Sequence, residues 1–86
     1  PNAKIILVSP TELTENVLKS PIFSTLFDKT SIEKSKHLSE IYSEISKEYV
    51  CDFIDLNNVA TPSSFDGLHF EPTEHEKIAK EIFKHL

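Results

Sequence analysis

The sequence contains no arginine, methionine or tryptophan, and only one cysteine and one glycine in 86 residues. These scarcities exclude whole classes of function. Nine lysines against fourteen acidic residues leave a net charge of -5 and no basic stripe to neutralise phosphates, so nucleic-acid binding is not expected. A single cysteine, Cys51, rules out an intramolecular disulfide and a cysteine-based zinc site. The longest apolar run, Ile5-Ile6-Leu7-Val8, is far short of the roughly 20 residues that span a bilayer. No signal-peptide pattern is present. That absence and the lone cysteine suit the cytoplasm, although the chain begins at Pro1 rather than Met and an export signal upstream is left open. What remains is 38% hydrophobic and 27% charged, the composition of a small folded domain.

The order of patterns indicates an α/β chain. Lys4–Val8 is a short β-branched run closed by Ser9-Pro10, as expected of a strand buried on both faces of a parallel sheet. Ser31 is placed as an N-cap. Leu38, Ile41, Tyr42, Ile45 and Tyr49 then recur at helical spacing, predicting one amphipathic helix of about five turns. Tyr49–Leu56 reads as a second strand, and a strand–helix–strand order requires a crossover and parallel pairing. Asn57–Phe70, rich in Asn, Ser, Thr and Pro, reads as loop. Thr73 and Glu76 have capping-box spacing, so the last helix is expected to start near Thr73, with Ile78, Ala79, Ile82, Phe83 and Leu86 as its apolar stripe. No internal repeat or low-complexity tract interrupts this order. Two parallel strands leave their outer backbone groups unpaired. The expectation is therefore that residues 1–86 are the C-terminal portion of a larger doubly wound domain; a small complete α+β domain is the competing reading.

Gly67 stands where average usage would give about six glycines. A chain that otherwise avoids glycine is expected to need a positive φ or a close backbone approach there. The position lies in a loop after a strand and before a helix, where open parallel sheets place their ligand sites. Asp66 and His69 flank it. At that spacing the carboxylate can fold back on the imidazole, accept its Nδ1–H, fix the tautomer and leave Nε2 as a base for a hydroxyl nucleophile. The same spacing is also met by an exposed turn aspartate followed by a histidine leading into a helix.

Asp66-Gly67-Leu68-His69, followed by Phe70 and a C-terminal amphipathic helix, resembles the last conserved block of the SGNH (GDSL) esterase/lipase superfamily. The resemblance covers most of the chain. KIILVSP is similar to the fourth strand and its edge, YVCDFIDL to the fifth strand, and the stretch between Pro10 and Thr30 to the aryl-esterase/acyltransferase branch. It implies a three-layer α/β/α sandwich with a parallel, flavodoxin-like sheet, and a serine ester hydrolase that uses no metal or cofactor. It assigns Asp66 and His69 as the acid and base of the triad, with a small acyl or aryl ester as substrate. The family's nucleophilic serine, in a G-D-S block, and its oxyanion-hole Gly and Asn blocks have no counterpart here. None of the ten serines, from Ser9 to Ser64, sits in such a context, and the missing N-terminal segment becomes the expected partner.

Other candidates carry less. His37, His75 and His85 lie among Lys and Glu on expected helices and read as solvated. A metal site of Asp66, His69 and His75 has no recognised spacing behind it. Cys51 reads as a small core residue of the second strand. Asp55, near that strand's end, is similar in place to a receiver-domain phospho-acceptor and supports the alternative of a non-catalytic binding or receiver-like module, without the acidic pair such a site requires. Lys29, Lys34 and Lys36 read as a solvated face. Thr11–Thr30 is too long for a mere connector. Its Ile22, Phe23, Leu26 and Phe27 are expected to pack on the sandwich, to wall an acyl pocket, or to form a contact between copies in a homo-oligomer.

Overall fold

The computed structural model describes residues 3–86; Pro1 and Asn2 fall outside the described residues. Strand β1 (Ile6–Ser9) is followed by 3₁₀ turns at Glu15–Leu18 and Phe23–Thr25, helices α1 (Lys29–Ser35) and α2 (Leu38–Glu48), strand β2 (Asp52–Asp55), a 3₁₀ turn at Leu56–Asn58 and helix α3 (Pro72–Lys84). β1 and β2 pair in parallel, Ile6 opposite Asp52 and Ser9 opposite Asp55, as the crossover argument required. The fold class is α/β.

The strands are shorter than expected. Ile5 is exposed, and Lys4 turns aside to form an ion pair with Asp52 at 3.1 Å, so β1 begins at Ile6. Tyr49–Cys51 belong to the end of α2 instead of to β2. Val50 takes φ +55°, and the Cys51 N–H donates to the Ser46 carbonyl at 2.8 Å, the six-to-one bond of a Schellman closure. Cys51 is thus half-buried and just outside the strand, not a core strand residue.

The single five-turn helix is in fact two helices. Its cap is Asp28, whose carboxylate accepts the Ser31 N–H at 3.0 Å while Ser31 Oγ accepts the Asp28 N–H at 3.2 Å; Ser31 is the third residue of this capping box. That backbone bond is the main reason the Asp28 carboxyl lies below its ordinary pKa. The break follows from Ser35. Its buried hydroxyl donates to the Ile32 carbonyl at 2.7 Å and accepts the Leu13 N–H at 2.9 Å, competing with the helix ladder where α1 ends. α2 packs on both strands, with Leu38 and Tyr42 half-buried and Ser46 buried, while Ile41, Ile45 and Tyr49 of the expected stripe stay exposed. α3 starts at Pro72 with Glu71 as N-cap residue, so Thr73 is already inside the helix.

The buried apolar set is small: Val17, Ile32, Ile54, Leu56 and Ala60, matched by five buried serines. The radius of gyration is 14.4 Å, against about 12 Å for a compact domain of this length. The accessible surface, 6214 Å², exceeds the roughly 5,200 Å² expected at 9.8 kDa. Exposed apolar side chains include Ile41, Ile45 and Phe83 of the helices, Leu86 beyond the end of α3, and Ile22, Leu26 and Phe65 of the loops. No helix among the described residues is long and apolar enough to cross a membrane.

Candidate active site

The loops leaving the carboxyl ends of β1 and β2 are stitched together. Ser9 Oγ donates to Asp55 Oδ1 at 3.3 Å, the Glu12 N–H donates to Asn57 Oδ1 at 2.8 Å, and the Thr14 N–H donates to the Gly67 carbonyl at 3.3 Å. Asp55 also accepts the Asn57 N–H at 3.0 Å. Both bonds fall on the same oxygen, so Asp55 Oδ1 helps to hold the loop together.

Beyond this point the chain forms a closed loop over residues 63–69. The Gly67 N–H donates to the Ser63 carbonyl at 2.8 Å and the Ser63 N–H donates to the His69 carbonyl at 2.7 Å. Ser63 Oγ accepts the Phe65 N–H at 3.0 Å and donates to Glu71 Oε1 at 2.9 Å, so the loop is anchored to the start of α3. The Thr61 N–H adds a second anchor on Glu74 at 2.9 Å. Gly67 has φ +72° and is buried. A Cβ there would stand 2.7 Å from Thr14 Oγ1 and 2.7 Å from the Val17 backbone nitrogen. The positive φ and the close backbone approach expected at Gly67 are both present.

The turn at Gly67 aims two N–H groups back at Asp66. Oδ1 accepts from Leu68 and from His69, both at 2.9 Å, and Oδ2 lies 2.9 Å from His69 Nδ1. The spacing of three lets one oxygen hold the backbone while the other holds the ring. The Leu68 N–H, then the His69 ring and N–H, keep the Asp66 carboxyl below the usual carboxylate range, against the opposing effect of partial burial. The Asp66 side chain is 14% exposed and that of His69 70% exposed, which leaves Nε2 open once Nδ1 donates to Asp66. Phe23 lies against the imidazole, with ring centroids 5.5 Å apart and planes 33° apart, and Phe27 meets Phe23 edge-on at 5.8 Å.

The other candidates lie elsewhere. His75 packs edge-on against Phe70 at 5.9 Å, and among the described residues no three His, Cys, Asp or Glu side chains group as metal ligands. His85 is not simply solvated: it is half-buried, with Nδ1 3.4 Å from Asp52 and its carbonyl accepting from Lys4. Among the described residues no serine hydroxyl bonds to the His69 ring, and the five buried serines are each committed to other partners. Sequence reasoning missed Thr14, Ser63 and Glu71 as the site's supports, and named Phe23 as packing, a pocket wall or an oligomer contact without linking it to His69. Ser63 and Glu71 gave only a generic loop and helix-start signal, and nothing in the sequence links Phe23 to a histidine 46 positions away.

No protein-family model and no curated protein matches the sequence. Solved structures do. One crystal structure is 28% identical with a TM-score of 0.85, over 99% of this chain and 38% of that one. A carbohydrate acetylesterase from Sinorhizobium meliloti is 23% identical with a TM-score of 0.81, over 100% of this chain and 40% of its own. The M. smegmatis aryl esterase is 23% identical with a TM-score of 0.76, over 100% and 40%. The chain thus spans well under half the length of these structures, and over that length it has the fold of the carbohydrate acetylesterase and aryl esterase structures.

Proposed function

We propose that the chain is the C-terminal portion of an SGNH-type serine ester hydrolase or acyltransferase, with a three-layer α/β/α sandwich, and that it supplies the Asp66 and His69 of a Ser–His–Asp triad. The observation that carries this reading is the 2.9 Å contact between Asp66 Oδ2 and His69 Nδ1, in a loop locked at the carboxyl edge of a parallel sheet. The likeness to esterase structures over about 40% of their length supports it. So does the excess apolar surface, which a larger sheet with its helices would cover.

In this reading the nucleophilic serine and the oxyanion donors lie on the upstream segment. As the serine Oγ attacks the ester carbonyl carbon, its proton passes to His69 Nε2 and the carbonyl oxygen takes the negative charge. Asp66 keeps the tautomer and stabilises the imidazolium. Collapse breaks the bond to the alcohol, which leaves with the proton from His69. Water or a second alcohol then repeats the sequence on the acyl-enzyme. No metal or cofactor enters, and the cytoplasm suits a chain with one unpaired cysteine.

The test is made on the full-length protein with p-nitrophenyl esters. His69→Ala is expected to abolish nearly all turnover and Asp66→Asn to cost about 10⁴-fold in kcat, as a wrong-tautomer triad does. Unchanged turnover in a folded His69→Ala variant would overturn the assignment.

A further inference from the structure

Two groups hold the His69 imidazole: the Asp66 carboxylate at Nδ1 and the ring of Phe23 against it. Phe23 is itself fixed. Its N–H donates to the Oγ of buried Ser20 at 3.2 Å, and its carbonyl accepts from the Leu26 N–H at 3.0 Å and the Phe27 N–H at 2.8 Å. The neighbouring Ile22 and Leu26 are exposed, whereas Phe23 and Phe27 are half-buried and meet edge-on with centroids 5.8 Å apart. Backbone and ring are thus both held before the ring reaches the histidine. The hydrogen bond to Asp66 secures one ring nitrogen but not the plane of the ring, because the terminal torsion of a histidine is broad. Nε2, across the ring from Nδ1, sweeps furthest when that plane swings. The His69 side chain is largely exposed, so within this chain the Phe23 ring is what limits the swing on one side.

We propose that Phe23 is a positioning residue: its ring braces the His69 imidazole so that Nε2 stays aimed at the nucleophile, and its π face favours the imidazolium formed there. The inference rests on the esterase reading and deepens it by assigning a residue that acts through His69. Two effects combine. A misplacement of about 1 Å at a reacting group can cost about 100-fold in rate, so loss of the brace is read in turnover. The second effect is charge. The 5.5 Å between centroids lies within the roughly 6 Å over which an aromatic face attracts a cation. His69 gains its charge as it takes the serine proton, so the attraction is stronger in the transition state than in the ground state. At an exposed site it corresponds to about two- to fivefold in rate.

The experiment uses the full-length protein with p-nitrophenyl acetate, butyrate and hexanoate. His69 serves acylation and deacylation alike, so kcat and kcat/KM both report its aim. Phe23→Leu keeps an apolar side chain without a ring. It should lower kcat and kcat/KM together, by about five- to a hundredfold, and equally for the three esters. Phe23→Tyr keeps the ring and should bring turnover back to within about twofold of wild type. Pentafluorophenylalanine in place of Phe23 keeps the shape but removes the negative face, and should lower kcat by about two- to fivefold. A nuclear Overhauser contact between the Phe23 ring protons and the His69 imidazole protons of the wild type reads the geometry without substrate. If Phe23→Leu does not fold, the fluorinated variant and this contact carry the test. A folded Phe23→Leu protein with unchanged turnover, or Phe23→Tyr no better than Phe23→Leu, overturns the brace while the esterase reading stands. A loss that grows with acyl chain length makes Phe23 a wall for substrate and overturns it as well. So does the absence of the Overhauser contact in the folded wild type. Unchanged kcat with the fluorinated ring overturns the charge effect. If the folded wild type hydrolyses none of the esters, the esterase reading itself falls, and the positioning role with it.

Discussion

Gly67 is the position where one methyl group should do the most damage. Two costs combine in Gly67→Ala. The backbone is held at φ +72°, where a residue with a Cβ pays about 1–2 kcal/mol. The new Cβ also meets Thr14 Oγ1 and the Val17 nitrogen at 2.7 Å each, and the Thr14 carbonyl at 3.0 Å. Thr14 Oγ1 could rotate away, but the Val17 nitrogen is backbone in a 3₁₀ turn around the fully buried Val17 side chain and cannot move alone. Overpacking of this kind typically costs about 1–3 kcal/mol. The total is about 2–5 kcal/mol, or roughly 2–4 °C of Tm per kcal/mol in a domain of about 150–250 residues. The assay is a thermal melt of the full-length protein with ester turnover measured well below the transition. Asparagine tolerates the left-handed conformation better than alanine but brings the same Cβ, so Gly67→Asn separates strain from collision. If the contact dominates, the two variants should be destabilised to within about 1 kcal/mol of each other. Turnover should fall further than the folded fraction does, because relieving the collision moves the N–H groups of Leu68 and His69 that hold Asp66. A Gly67→Ala protein melting within about 1 °C of the parent would refute the reasoning.

Three further outcomes follow from the same geometry. Val50→Gly should stabilise the fold by about 0.5–1 kcal/mol, since the left-handed penalty exceeds the entropic cost of glycine and the exposed side chain gives up little packing; a lower urea midpoint would contradict this. Asp28, Asp52, Asp66 and Glu74 all titrate lower in the folded chain than in the unfolded one, so their contribution is complete above the unfolded values near about 4 and is lost as pH falls below them; a melting temperature flat from about pH 6 to pH 3 would show that these bonds do not act this way. Expressed alone, the 86 residues should be molten or self-associated and inactive, and a monomeric cooperative melt above about 45 °C would return the small-domain reading to first place.

The parallel pair was legible because element order alone demands it. So was the Asp66–His69 pairing, because it depends on residues three positions apart, where spacing is geometry; Gly67 was marked by the scarcity of glycine, although the Thr14 and Val17 atoms that crowd it come from a distant part of the chain. Helix boundaries were legible only to the extent that local chemistry decided them. Ser31 looked like a cap because it is a serine before an apolar repeat, but Asp28 takes that role and Ser31 completes the box from inside the helix. The split between α1 and α2 depends on Ser35 bonding to Leu13, a partner 22 residues away that no local pattern reveals. Three of the five expected stripe residues are exposed for a related reason. Only the Leu38–Tyr42–Ser46 side has the sheet beneath it, and Ile41 and Ile45 face away from it.

The lone glycine and the three-residue spacing are one device. With Gly67 in the left-handed region the chain reverses within two residues, and the N–H groups of Leu68 and His69 converge on a single oxygen of Asp66. The second oxygen is then free for the imidazole, which needs no further support to fix its tautomer. The absence of a side chain also lets Thr14 and Val17 close over the turn, and the Thr14 N–H bonds to the Gly67 carbonyl. The loop carrying the histidine is thereby tied to the loop leaving β1, so the height of His69 above the sheet is set by β1 as well as by β2. A substitution at Gly67 would therefore disturb the dyad from within and also loosen the seam between the two strand exits, which is why one residue bears on both stability and chemistry.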